Sequence, residues 1–434
     1  MASPLNVGLV GFGNIGTGVV RALDANREVI NGRVPHPVEV VRIVDVDTSP
    51  RPDTAYDPAI LSSDTDGLLA DPDVHVVLEL TGTIDFAYEL IERALTGGKH
   101  VVTANKALMA TRGAGLIRIA VDNDRCLLFE AAVGGGIPLI RTLHQGVAAN
   151  DISAVCGIIN GTANYVLTSM SDEGLGLEAA LRRAGELGYA EPDPSADVEG
   201  IDTAHKLAIL ATLCFGQDIR LDDVWVEGIT RVSALDIEYA RQDGYAIKLL
   251  GMARRFDDGS VEARVHPTLV PECQSLASVG GVLNAVRIDG NLTGPVVLIG
   301  RGAGPEPTAS AILSDLMALA SGRAEGGLRR EMRLCVPRAP KRIRPMAELR
   351  TRYYVRFGLS DVPGALGQVL TILGRRGVSV ASVEQPAEHG GEYAHVVITT
   401  REAREADVQS ALDEVGALPI SRTEPLILRI EEMD

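Results

Sequence analysis

Along the first third of the chain, short apolar runs alternate with stretches whose apolar residues recur at helical spacing. Residues 5–10 (Leu-Asn-Val-Gly-Leu-Val) predict a buried strand that runs into Gly11-Phe-Gly-Asn-Ile-Gly16 and then a helix from Thr17 to Ala25. Val38 to Val46, Val74 to Leu80 and His100 to Thr103 predict further strands, with a helix ending near Gly97 between the last two. Strand alternating with helix predicts an α/β fold, a doubly wound parallel sheet of the Rossmann type, whose ligand crevice lies beyond the C-terminal strand ends.

From about residue 145 the rhythm changes to longer apolar strands and helices, which predicts a separate α+β domain over 146–300. The first domain then spans 1–145, and beyond the second Arg301-Gly-Ala-Gly304 leads into an amphipathic helix to Leu319. Residues 328–352 hold nine Arg and Lys with three prolines, a composition that predicts a linker over 329–351. Beyond it, strand (Tyr353–Phe357), helix (Ala365–Arg376), strand (Val378–Val383), strand (Tyr393–Thr399), helix (Glu402–Val415) and strand (Pro425–Ile430) predict a split βαββαβ domain over 352–434.

At 434 residues the chain is long enough for two or three cores, and 46% hydrophobic with 23% charged residues is ordinary globular composition. The net charge of -17 repels phosphate backbones and anionic lipid, so neither nucleic acid nor a membrane surface is an expected partner. Five scattered cysteines form no CxxC pair, and no apolar run approaches a bilayer's thickness, so the expectation is a cytoplasmic protein without a disulfide framework or zinc site.

Strand, glycine loop and helix in that order are what a dinucleotide pyrophosphate needs. Gly11 allows the tight turn, Gly13 the close approach of backbone to phosphate, and Gly16 the packing of helix on strand. Asp45, ending the second strand, either accepts the ribose 2′-hydroxyl, which tilts the cofactor to NAD over NADP, or merely ends a strand in a turn. In the second case Arg42 or Arg51 is left to take a 2′-phosphate.

Asp202 and Lys206 stand one helical turn apart, and by default such a pair is a surface ion pair of roughly 0.3–0.5 kcal/mol. The helix continues as Leu-Ala-Ile-Leu-Ala-Thr-Leu-Cys-Phe215, apolar on nearly every side, so its first turn must face a cavity or interface. A lysine there suits hydride chemistry at a carbonyl, where an alkoxide must be protonated and, in reverse, a hydroxyl deprotonated. Glu191, Asp197 and Asp202 suit an amino-acid ammonium group, and Lys106, in Thr103-Ala-Asn-Lys106, would enter the same crevice from the last predicted strand.

Gly11-Phe-Gly-Asn-Ile-Gly16, Thr103-Ala-Asn-Lys106, Asn160-Gly-Thr-Ala-Asn-Tyr165 and Gly188-Tyr-Ala-Glu-Pro-Asp-Pro through Lys206 together resemble the homoserine dehydrogenases, over roughly residues 5–325. The resemblance implies interconversion of L-homoserine and L-aspartate 4-semialdehyde with NAD or NADP, in threonine and methionine biosynthesis. It further implies a nucleotide-binding domain over 1–145 completed by about 300–328, a catalytic and dimerisation domain over 146–300, Lys206 as proton donor and acceptor, Lys106 at substrate and nicotinamide, and Glu191, Asp197 and Asp202 as substrate-side carboxylates. The cofactor set becomes Gly11, Phe12, Gly13, Asn14, Ile15 and Gly16 with Asp45, Thr81, Gly82, Lys106, Gly188 and Gly302. A glycine run before a proline is usually a turn opening a helix, but the resemblance also suggests a Na+ ion at Glu130, Val133, Gly135 and Ile137. The C-terminal unit, with Asp361-Val-Pro363-Gly364 in its first turn, resembles an ACT domain. That implies an amino-acid effector, L-threonine, at Asp361, Pro363 and Gly364, and a homodimer or homotetramer; the competing reading is that the unit only dimerises.

Two rivals are weighed. A thioester-forming semialdehyde dehydrogenase needs a reactive cysteine, yet Cys156 and Cys214 lie in apolar core stretches with no base beside them. A non-catalytic dinucleotide and amino-acid sensor would not need Lys206.

Overall fold

The computed structural model describes residues 3–322, 326–385 and 393–432, so the last three positions of the 5–325 span lie outside the described residues. Strands β1 (Leu5–Val10), β2 (Val38–Val44), β3 (Leu61–Ser62), β4 (Val76–Glu79), β5 (His100–Thr103) and β6 (Leu127–Leu128) form a parallel sheet in the order β3-β2-β1-β4-β5-β6. Every residue of β4 is buried, which explains three consecutive apolar residues, Val76 to Leu78, where a half-exposed strand would alternate. Helices α1 (Asn14–Ala25), α2 (Arg27–Asn31), α3 (Thr65–Ala70), α4 (Asp85–Thr96) and α5 (Lys106–Asp122) make the crossovers. Strand order reverses between β1 and β4, so the loops after these two strands part and open a crevice there.

After the short α6 (Leu139–Arg141) come β7 (Ile152–Ile158), α7 (Gly161–Glu173), α8 (Leu177–Glu186), α9 (Ser195–Val198), α10 (Ile201–Phe215), β8 (Trp225–Val226) and α11 (Ala234–Gln242). The long strands β9 (Tyr245–Arg255), β10 (Val261–Pro271), β11 (Leu283–Gly290) and β12 (Gly294–Arg301) follow. Helix α10 packs on β7 and β9 of this second sheet and also on α5 of the first unit, which explains why it is apolar on nearly all sides. α12 (Pro305–Ala320) returns to lie against α1.

Composition predicts a linker after residue 328, but α13 (Gly327–Leu334) is helical. Leu328, Met332 and Cys335 recur at helical spacing and are buried, while the basic residues occupy the other face. Further along, the basic segment does drape over acidic surface, through Lys341 to Asp223 at 2.8 Å and Arg344 to Asp258 at 3.4 Å.

The last part runs β13 (Arg350–Leu359), α14 (Ala365–Arg375), β14 (Val380–Glu384), β15 (Ala394–Thr400), β16 (Ala403–Arg404), α15 (Glu405–Gly416) and β17 (Leu426–Ile430), the expected βαββαβ order with a minor extra strand. It does not stand apart from the middle of the chain. β17 pairs in parallel with β10, Thr268 opposite Arg429 and Leu269 opposite Ile430, so one sheet of eleven strands runs through both.

Candidate active site

The three loop glycines meet different constraints. Gly11 adopts a φ of +100°, and a Cβ there would lie 2.7 Å from the Leu80 carbonyl; a Cβ on Gly16 would lie 2.2 Å from the Gly11 oxygen. A Cβ on Gly13 would meet nothing within 4 Å, so this residue leaves open space in front of the α1 N-terminus, with Asn14 and Ile15 in the first turn. Open space before unpaired amides and the positive end of a helix fits a pyrophosphate. The carboxylate of Asp45 accepts the Phe12 amide of this loop and, at 2.9 Å, the Asp47 amide. Arg42 is paired with Asp71, and Arg51 with Asp47 at 3.0 Å and the Ser49 carbonyl at 2.6 Å.

At the tip of β4, buried Glu79 accepts both the amide and hydroxyl of Thr81 at 2.8 Å and the Thr103 hydroxyl from β5 at 2.6 Å. Gly82 follows in a left-handed conformation with nothing near its Cβ direction. Asn105 accepts the Leu108 amide at 3.1 Å, capping α5, and donates to the Thr83 carbonyl at 2.6 Å. Thr103-Ala-Asn-Lys106 is thus a brace between two strand tips that presents Lys106 at the start of a helix.

Lys106 and Lys206 meet on one carboxylate. Lys206 is buried and donates to Asp202 at 2.6 Å and to the Ile159 carbonyl at 2.7 Å, while Lys106, at the exposed rim, pairs with the other oxygen of Asp202. Asn160 donates to Asp202 at 2.8 Å and to Asp197 at 2.6 Å, and its own carbonyl accepts the Ala163 amide at the start of α7. Burial lowers the pKa of Lys206 below the usual lysine value, helped by the adjacent Lys106 ammonium and only partly opposed by Asp202. Burial acts on Lys106 in the same sense, but Asp202, with Asp197 and Glu191 behind it, outweighs it and raises Lys106. Burial would raise Asp202 too; its two ammonium neighbours hold it well below the usual carboxylate range instead. The environment separates two chemically identical side chains, holding the proton of Lys206 less tightly than usual and that of Lys106 more tightly.

Of the three predicted carboxylates, Asp202 is enclosed by lysines and Asn160, Asp197 is half-buried beside them, and Glu191 is exposed. The segment carrying Gly188 and Glu191 is tied to α7 by a hydrogen bond from Thr162 to the Tyr189 carbonyl at 2.7 Å and by the Tyr165 and Tyr189 rings, 5.0 Å apart. Gly302 abuts both the predicted cation turn and Asn284: a Cβ on Gly135 would lie 2.5 Å from the Gly302 oxygen, and one on Gly302 2.0 Å from Asn284 Oδ1. Asn284 is buried with both amide atoms lacking a partner among the described residues, a polar group that a bound ligand could satisfy. In the cation turn the Glu130 carboxylate accepts the Ile140 and Arg141 amides at 2.9 and 2.8 Å, so it caps α6; left-handed Gly134 and Gly135 reorient the main-chain carbonyls. A cation there would therefore rest on main-chain carbonyls, not on that carboxylate.

Asn160, Glu79 and Asn284 were not assigned roles from sequence. Asn160 carries a signal in the sequence, an Asn immediately before a helix; Glu79 draws its partners from two strand tips, and the unsatisfied amide of Asn284 exists only once the chain is folded.

The chain matches the homoserine dehydrogenase family model over residues 138–317, the NAD binding domain of homoserine dehydrogenase over 11–130 and the ACT domain over 353–419. The homoserine dehydrogenases of Pseudomonas aeruginosa and Synechocystis are each 39% identical to it, over 99% and 98% of this chain and 100% and 99% of their own lengths. A homoserine dehydrogenase structure from Thiobacillus denitrificans superposes with a TM-score of 0.90 at 36% identity, covering 99% of this chain and 98% of that one. A hyperthermophilic archaeal homoserine dehydrogenase in complex with NADPH superposes with a TM-score of 0.61 at 25% identity over 73% of this chain and 97% of that one. An oxidoreductase that acts on a hydroxyl group with a nicotinamide dinucleotide, and that carries an ACT domain, the chain belongs to the homoserine dehydrogenase family.

Proposed function

We propose that Lys206 is the proton carrier in the interconversion of L-homoserine and L-aspartate 4-semialdehyde, on the strength of one observation: a buried lysine with lowered pKa and a rim lysine with raised pKa share the Asp202 carboxylate. A nicotinamide held by the glycine loop and Lys106 would supply the acceptor for hydride from the hydroxyl-bearing carbon of homoserine. Neutral Lys206 Nζ accepts the hydroxyl proton as the C–O bond becomes C=O, and in the reverse direction its ammonium returns that proton to the alkoxide oxygen. Lys106 stays protonated and supplies a fixed cation beside the reacting oxygen. Asp197 and Glu191 hold the substrate ammonium, and Asn160 keeps Asp197 and Asp202 in register. Following reduced nicotinamide with L-homoserine tests this. Lys206→Ala should lower kcat on the order of a hundredfold or more with dinucleotide binding intact. A wild-type chain that binds dinucleotide and never reduces it would instead act as a sensor.

NAD is the preferred dinucleotide in this reading: Asp45 stands at the ribose end of the loop, and the two arginines able to take a 2′-phosphate are paired with Asp71 and Asp47. Gly11 to Gly16, Thr81, Gly82, Gly188 and Gly302 border the cofactor, with Lys106 at its nicotinamide end. A Na+ ion takes main-chain carbonyls of Glu130, Val133, Gly135 and Ile137, hard oxygen donors suited to such a cation. L-threonine is the effector at the exposed turn of Asp361, Pro363 and Gly364, where left-handed Gly364 opens α14. The subunits form a homodimer or homotetramer, and five free cysteines suit a cytoplasmic enzyme.

A further inference from the structure

Arg429, on β17 of the ACT domain, is almost completely buried, with 1% of its side chain exposed. It donates to Glu405 at 3.1 and 2.5 Å and to Glu227 at 2.6 Å, and its guanidinium carbon lies 4.5 Å from the centre of the Trp225 ring. Glu405 belongs to the ACT domain, but Trp225 and Glu227 lie between α10 and α11, so this one side chain fastens the ACT domain to residues 225–229.

The far side of that segment touches the active-site turn. The Ile229 amide donates to the Val198 carbonyl at 2.8 Å, and the Glu227 amide donates to the Val265 carbonyl of β10 at 2.8 Å. A Cβ on Gly228 would lie 2.4 Å from the Val198 oxygen and 2.6 Å from Glu199 Cα, and a Cβ on Gly200 would lie 3.2 Å from Val226 Cγ1. There is no slack between the two segments, so a shift of residues 225–229 must move the end of α9, which carries Asp197, and the entry to α10, which carries Asp202.

We infer that Arg429 is a positioning residue for the substrate-side carboxylate Asp197, acting through Glu227 and the Ile229–Val198 hydrogen bond. Its fork matches two carboxylates and its plane stacks on an indole, a combination lysine does not reproduce. Losing it leaves two carboxylates facing each other, which displaces the segment between them. The inference rests on the assignment of Asp197 to the substrate ammonium.

A second buried junction supplies the control. Arg356 of the ACT domain donates to Asp236 of α11 at 2.7 and 3.1 Å, and Tyr354 donates to the same carboxylate at 2.9 Å. No hydrogen bond of Asp236 or Arg356 among the described residues leads to residues 195–202.

The experiment measures kcat, KM for L-homoserine, KM for the dinucleotide and Tm in the full chain, for Arg429→Met, Arg429→Lys, Glu227→Gln and Arg356→Met. Misplacing a binding group by an ångström costs up to about a hundredfold. Arg429→Met and Glu227→Gln should raise the homoserine KM by about tenfold or more, Arg429→Lys by less, with dinucleotide KM unchanged and kcat within about threefold. Arg356→Met should lower Tm and leave the homoserine KM in place. An unchanged homoserine KM in the Arg429 and Glu227 variants, or an equal rise in Arg356→Met, overturns the inference. If Arg429→Met does not fold, Glu227→Gln decides by the same outcomes. Absence of homoserine oxidation in the wild type would count against the proposed function instead.

Discussion

Replacing Asp202 with asparagine should move the pH dependence of homoserine oxidation towards lower pH. With Lys206 as the proposed proton carrier, the oxidation direction needs it neutral, so the rate should rise with pH through the Lys206 pKa, which burial already places below the ordinary 10.5. Asp202, 2.6 Å from the Lys206 nitrogen, is the main group holding that pKa up. Two unit charges about 4 Å apart in a medium of effective dielectric about 20 interact by about 4 kcal/mol, and about 1.4 kcal/mol is one pH unit, so the Coulombic scale is a downward shift of about three units. The asparagine carbonyl still accepts a hydrogen bond, which reduces the shift, while the now unbalanced Lys106 increases it; one to three units is the working range. Lys106→Met gives the opposite sign, because the Lys106 ammonium lowers Lys206. The assay is log kcat and log kcat/KM for homoserine from about pH 6 to 11 for the wild type and both variants. A midpoint that stays put in Asp202→Asn, or that moves in the same direction in both variants, would refute the division of roles between the two lysines.

Three further outcomes are expected. Asp45→Ser should shift the ratio of NADP to NAD specificity constants by about tenfold towards NADP, read from kcat/KM with each dinucleotide, because a hydroxyl no longer repels a 2′-phosphate. Exchange into tetramethylammonium buffer should lower both Tm and activity, and added NaCl should restore both; full stability and activity without Na+ would remove the carbonyl site. Burial and neighbouring Glu130 push the Asp315 pKa up to about 7. Because its folded pKa lies above its unfolded value near 3.8, its contribution to stability is intact below about pH 4 and falls as pH rises to about 7, by a few kcal/mol at most. Asp315→Asn should flatten the fall in Tm across that window.

What the sequence disclosed was local. The glycine loop is legible because each glycine answers a constraint within the loop or its own helix, and Asp202 and Lys206 are legible because one helical turn sets their spacing. The partner of Lys106 is not, since the docking of α5 on α10 brings it to Asp202 and no periodicity encodes that contact. For the same reason Glu79, whose ligands come from two strand tips, reads as one acidic residue among many. The pattern of 352–434 gives the order of elements in the ACT domain but not the pairing of β17 with β10, because a buried strand presents the same alternation to either neighbour. Composition misled at 327–334, where abundant arginine outweighed a short apolar stripe.

The two lysines acquire different chemistry from their depth and from the charges each one faces. Both donate to the same carboxylate, so their titrations are coupled and the site gives up one proton more readily than a second. The nitrogen that loses it is the one with less access to water, Lys206 on the buried face of α10, while Lys106 at the rim keeps its charge with Asp197 and Glu191 near. In the proposed roles, a proton carrier and a permanent cation are both lysines, and the packing of one apolar helix between two domains, with the carboxylates around Lys106, sets them apart. That is also why the helix carrying Asp202 and Lys206 has no polar face of its own: exposing either side of α10 would return Lys206 to water and restore the ordinary lysine pKa.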